Sequence, residues 1–83
     1  MRITVKLYAT LSEYLPPGAQ RNVAGLDVAA GSTVSGVIKT LNLPAERVHL
    51  VLVNGVYVPP EDRPGTVLQE GAALAIWPPV AGG

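Results

Sequence analysis

From Arg2 to Ala9 the chain alternates, with Ile3, Val5 and Leu7 on one side and Arg2, Thr4, Lys6 and Tyr8 on the other. A period of two with one apolar side predicts a half-buried β-strand. Leu11, Tyr14 and Leu15 then fall at i, i+3 and i+4, which predicts one short helical turn packed on the core. Leu15-Pro16-Pro17-Gly18 ends it, because a residue before proline avoids the α region and glycine supplies the turn. A second strand is expected over Asn22–Ala30, with Val23, Leu26 and Val28 as its apolar positions and Gly25 at a bulge or bend.

Val34, Val37, Ile38 and Leu41 follow i, i+3, i+4, i+7, the stripe of an amphipathic helix. Ser32 or Thr33 suits the N-cap, Asn42 suits a left-handed C-terminal position, and Pro44 prevents continuation. Gly36 costs this helix about 1 kcal/mol relative to alanine, so its stability has to come from tertiary packing. His49–Val53 is a short apolar strand, Asn54-Gly55 is a strong hairpin signal, and Val56-Tyr57-Val58 returns. Pro59-Pro60 and Arg63-Pro64-Gly65 form a loop, after which Val67–Gly71 leads into a last strand, Ala73–Trp77.

Strand, strand, helix, strand, short strand, strand is the order of an α+β β-grasp domain, in which a mixed sheet wraps around one main helix. A ferredoxin-like βαββαβ arrangement ranks second, since a second long helix is lacking. The division expected is a domain over residues 1–77 and an extended, flexible tail over 78–83.

Composition narrows the chemistry. Eighty-three residues, 48% hydrophobic, make one domain near the lower limit for a self-sufficient core. The absence of cysteine excludes disulfides, thiolate-held zinc and a cysteine nucleophile. Six basic and six acidic residues cancel, and the basic ones are scattered, which argues against nucleic acid as a primary partner. No apolar run approaches the roughly 20 residues of a membrane span, and nothing at the start resembles a leader, so the expected compartment is the cytoplasm. His49 is the only histidine and has no evident carboxylate partner. Glu61-Asp62 reads as a solvated turn and Lys39 as a solvent-facing helix residue, and no metal site is expected.

Strand phase singles out three aromatics. Tyr8, Trp77 and Tyr57 are each out of phase with the apolar positions of their strands, so period-two geometry turns them away from the helix-covered side. Single tyrosines on a surface need no explanation. Three sharing one face, with Trp77 immediately before the tail, predict a partner-binding surface.

The sequence ends Pro78-Pro79-Val80-Ala81-Gly82-Gly83. Two prolines stiffen the exit from the last strand, and two glycines fit a passage only a backbone wide. At roughly 3.3 Å per extended residue the tail reaches at most about 20 Å, enough to carry the Gly83 carboxylate deep into another protein. Taken alone, Gly-Gly is equally compatible with a frayed end or a cloning remnant.

The opening Arg2–Ala9, the Val53-Asn54-Gly55 hairpin, the Leu68–Gly71 approach and this tail together resemble the MoaD/ThiS family of ubiquitin-like sulfur carriers. The likeness runs over essentially the whole chain. The Pro-Pro-Val-Ala-Gly-Gly end is similar to MoaD, the small subunit of molybdopterin synthase, whereas Asn54–Pro59 is similar to the thiamine branch. Glu70 stands beside Gly71-Ala72-Ala73 where family members often carry more acidic residues. The resemblance implies a protein without a catalytic centre or bound cofactor of its own. An activating adenylyltransferase related to the ubiquitin-activating enzymes (MoeB-like) would use ATP to adenylate the Gly83 carboxylate, and sulfur would then replace one oxygen to give a thiocarboxylate. Pro78, Pro79, Val80, Ala81 and Gly82 would insert into the large subunit of molybdopterin synthase (MoaE-like), where the sulfur builds the dithiolene of the molybdenum cofactor. Two other roles remain open: a carrier for the thiazole of thiamine, and a modifier joined to other proteins through Gly83.

Overall fold

The computed structural model describes residues 1–80. Five strands form one mixed sheet: β1 (Arg2–Leu7), β2 (Val23–Asp27), β3 (Leu50–Val53), β4 (Val56–Tyr57) and β5 (Ala73–Trp77). Their spatial order is β2-β1-β5-β3-β4. The first and last strands are parallel neighbours at the centre, and the other pairs are antiparallel. Among the described residues one α-helix, α1 (Val34–Thr40), belongs to the segment between β2 and β3. This is the β-grasp arrangement expected from the element order.

Directly paired residues share a face, so the register reads out the core. Val5 lies opposite both Ala24 and Leu74, Leu7 opposite Ile76, and Ile76 opposite Val51. All six are buried. Val34 and Val37 of α1 are fully covered against this face, with Leu41 and Leu43 following. Ile38, the fourth residue of the helical stripe, is only partly buried and packs at the rim of the core. The helix starts where Thr33 Oγ1 accepts a hydrogen bond from the Gly36 amide at 3.1 Å. It stops at Leu41, and Asn42 follows at φ 61°.

The local departures from expectation are informative. β2 is shorter than Asn22–Ala30, and its phase is reversed at Val23, which pairs with the outward Lys6 and is exposed. Ala24 takes the inward place instead. No bulge occurs at Gly25, where the register to β1 is continuous. The Arg2 guanidinium lies across Gly25 to reach Asp27, and a Cβ there would stand 2.6 Å from it, so a larger residue would displace that exposed side chain. Val56 points to the helix side but lies beyond the reach of α1, and is 67% exposed.

Arg63 is the one polar or charged residue among the buried side chains. Its Nε donates to the Val58 carbonyl and its Nη2 to the His49 carbonyl, at 3.2 and 3.1 Å. Its own carbonyl accepts from the Ser35 amide of α1. One residue thereby ties the loop after β4 to the entry of β3 through its side chain and to the helix through its backbone. Near the tail-side end of the sheet, Arg47 plays a similar part, donating to Tyr14 and Thr10 and lying over the Tyr14 ring.

Candidate functional site

The face of the sheet opposite α1 is uncovered, and its composition follows from the register. One row across the sheet contains Thr4, flanked by Gly25 and Ala73. The next contains Val23, Lys6, Ala75, Leu52 and Tyr57, one from each strand in spatial order. At the end where the chain leaves β5, Trp77 lies opposite Leu50 and stacks on Tyr8. The face is thus built mostly from small and apolar side chains, with the Lys6 ammonium near its middle and the Arg2–Asp27 ion pair at its far end.

Tyr8 and Trp77 are in direct contact, with ring centroids 4.3 Å apart and planes 4° from parallel. The backbone fixes both partners. The Tyr8 amide donates to the Ile76 carbonyl, and the His49 amide donates to the Trp77 carbonyl. Ala9 then takes a left-handed φ of 51° and turns the chain into the 3-10 helix Ala9–Tyr14, whose Leu11 is fully buried. Such stacking contributes about 0.5–1.5 kcal/mol beyond the area it covers and limits the freedom of both rings. Tyr57 lies on the same face but on the edge strand β4, opposite Leu52, and is 53% exposed. The three predicted aromatics therefore share a face, while only two of them form a pair.

The hairpin that carries Tyr57 is set by its turn. Asn54 and Gly55 have φ of 51° and 84°, the two positive values that a two-residue turn with the sheet's own twist requires. The Asn54 amide donates to the Ala73 carbonyl, and Asn54 Oδ1 accepts from the Ala73 amide. This pins the hairpin to β5.

At the exit from the sheet Pro78 is half-buried, while Pro79 and Val80 are exposed, Val80 at 80%. Ala81, Gly82 and Gly83, on which the tail chemistry was expected, lie outside the described residues. Elsewhere the surface has shallow grooves, one of about 290 Å³ beside the β3–β4 hairpin and one of about 310 Å³ between α1 and Val48. Neither brings together groups for catalysis. His49 and Lys39 are exposed. Among the described residues no three His, Asp or Glu side chains gather as metal ligands, and no helix is long and apolar enough to cross a membrane.

A mixed five-stranded sheet wrapped on one helix, with the last strand central and the chain leaving from its end, defines a ubiquitin-like β-grasp protein. Within that class the chain belongs to the ThiS family, whose model matches residues 5–83. Among solved structures it is similar to SAMP1 from Haloferax volcanii, at 26% identity over all of both chains and a TM-score of 0.71. A Haloferax volcanii protein solved in solution is 30% identical, with a TM-score of 0.76, over all of this chain and 87% of that one. A putative molybdopterin converting factor subunit 1 from Pyrococcus furiosus shares the fold at 19% identity and a TM-score of 0.66, over 95% of this chain and 98% of its own. No curated protein matches.

Proposed function

We propose that the protein is a sulfur carrier that works through the terminal carboxylate of Gly83, and that it serves molybdopterin synthesis. The observation that carries this reading is the extent of the family match, which runs through residue 83 and so includes the Gly82-Gly83 end. The Pro78-Pro79-Val80-Ala81-Gly82-Gly83 sequence favours the molybdopterin branch over the thiamine branch.

The chemistry suits the residues. A carboxylate is a poor electrophile, because its charge is delocalised and it has no good leaving group. Attack of the Gly83 carboxylate on the α-phosphate of ATP, in the site of an activating adenylyltransferase, gives an acyl-adenylate and releases pyrophosphate. A sulfur nucleophile then adds to the activated carbonyl and AMP departs, leaving a thiocarboxylate. Gly82 and Gly83 offer no side chain to obstruct either step. The chain needs no thiol of its own, in keeping with its lack of cysteine. The synthase large subunit would receive the tail, and the stacked Tyr8–Trp77 pair, held where the tail leaves β5, would seat the body of the carrier against each partner.

The modifier reading has an observation in its favour: the likeness to SAMP1, a small archaeal modifier protein, over the full length of both chains. Both readings share the adenylation step and part after it. The first test is ATP–pyrophosphate exchange with the cognate adenylyltransferase. The wild type should support exchange. Deleting Gly83, or adding one residue after it, should abolish exchange without lowering the melting temperature. Exchange by the truncated or extended chain would rule out the terminal carboxylate as the working group.

A further inference from the structure

The uncovered sheet face has an uneven charge. On the outward side of β1, β5 and β3 the cations are Lys6 and Arg2; Lys6 lies near the middle, between Val23 and Ala75 in its row. It is half-buried by these neighbours, and no ion pair holds it among the described residues. The other charges near the face are already engaged at its far end. Arg2 Nη1 pairs with Asp27 at 3.0 Å, and Glu70 Oε1 accepts from the Arg2 amide at 3.1 Å. The remaining acidic residues, Glu13, Glu46, Glu61 and Asp62, lie on the 3-10 helices rather than on the sheet. The middle of the face therefore presents an ammonium in an apolar frame, while the face's own carboxylate, Asp27, is taken up by Arg2.

We propose that Lys6 is the specificity determinant of this face: it selects a partner protein whose apolar docking surface carries a carboxylate opposite the middle of β1. The proposal rests on the carrier reading above and names the chemistry of the partner that reading requires. Charge decides between occupants. A second copy of this chain meeting the face about a two-fold axis through the middle of β1 would bring Lys6 against Lys6, and its Asp27 is already held by Arg2. A nucleic acid would need a patch of cations, and the face has Lys6 and an Arg2 already paired with Asp27. An apolar partner surface without an acid would strip water from the ammonium and give nothing in return. A carboxylate in an otherwise apolar surface satisfies the lysine and leaves the apolar area free to be buried. Because the tail leaves β5 at the Tyr8–Trp77 end, a protein that takes the tail into its active site is brought against this same face.

The test is the KM for this chain in ATP–pyrophosphate exchange by the cognate adenylyltransferase, compared across Lys6→Arg, Lys6→Met and Lys6→Glu. Lys39→Met, on the exposed side of α1, serves as a control with the same loss of charge. Lys6→Arg should stay near the wild type. Lys6→Met should raise KM about thirtyfold or more and Lys6→Glu further, with kcat unchanged, as loss of one desolvated partner of a charge pair entails. Added salt should raise the wild-type KM and leave that of Lys6→Met nearly flat. Lys39→Met should match the wild type. A KM for Lys6→Met and Lys6→Glu equal to that of Lys39→Met would overturn the proposal while leaving the carrier reading intact. So would a lower KM for Lys6→Glu, or a wild-type dimer in sedimentation whose association Lys6→Glu alters. Exchange by none of the chains, the wild type included, would overturn the carrier reading and this proposal together.

Discussion

Trp77 combines two roles that its position makes inseparable. It is the last residue of β5, and its ring is braced by Tyr8, just past the end of the neighbouring strand. An aromatic held in place before binding loses little freedom on docking, which is what makes such residues strong anchors. Trp77→Ala should weaken binding to the adenylyltransferase by about 2 kcal/mol, roughly thirtyfold in Kd by calorimetry. Tyr57→Ala should cost less, because Tyr57 is exposed on the edge strand and has no ring stacked on it. Equal binding by the wild type and Trp77→Ala would remove the aromatic pair from the docking surface. The outward direction of Tyr8, Tyr57 and Trp77 was legible from alternation alone, because a period of two needs no partner strand. The stacking was less so, since it depends on β1 and β5 being adjacent and in a particular register. Arg63 was not legible. In the sequence it is one of several scattered basic residues in a proline-rich loop, and only the fold brings the Val58 and His49 carbonyls to its guanidinium.

At the scale of elements, the sheet and helix depend on one another. α1 has only seven residues and includes Gly36, so its capping by Thr33 and the burial of Val34 and Val37 must carry it. The apolar stripe identified the helix and its inward face, yet Ile38 lies at the rim, where part of it meets solvent. The consequence is measurable. Leu74→Ala, on the central strand and fully buried, should destabilise by about 2–5 kcal/mol. At about 4–8 °C per kcal/mol for a domain of this size, its melting temperature should fall by about 8 °C or more. Ile38→Ala should cost distinctly less, and equal losses for the two would contradict the assignment of Ile38 to the rim. β2 was the element least legible in sequence. Its first apolar candidate, Val23, is outward because pairing with Lys6 fixes its side, and inward Ala24 is too small to stand out in a hydrophobic pattern. Edge strands obey their neighbour's register before their own composition, so pattern alone misplaces them.

On the scale of the whole molecule the two ends of the chain meet at the centre of the sheet, where β1 and β5 run parallel. This arrangement keeps the core on the α1 side, leaves one broad face uncovered, and directs the tail away from the end of a central strand. The order of elements along the chain was enough to infer it, because few folds accommodate two hairpins and one helix around a central parallel pair. What the tail does is a matter of chemistry at Gly83, and the family match through that residue is its main support. The most direct measurement is the intact mass of the chain after incubation with the cognate adenylyltransferase, ATP and a sulfur donor. The account predicts a product in which sulfur has replaced one oxygen, carried on a fragment containing Gly83 and absent when Gly83 is deleted. A chain that remains unchanged, or that appears only as an isopeptide conjugate without passing through a thiocarboxylate, would contradict it.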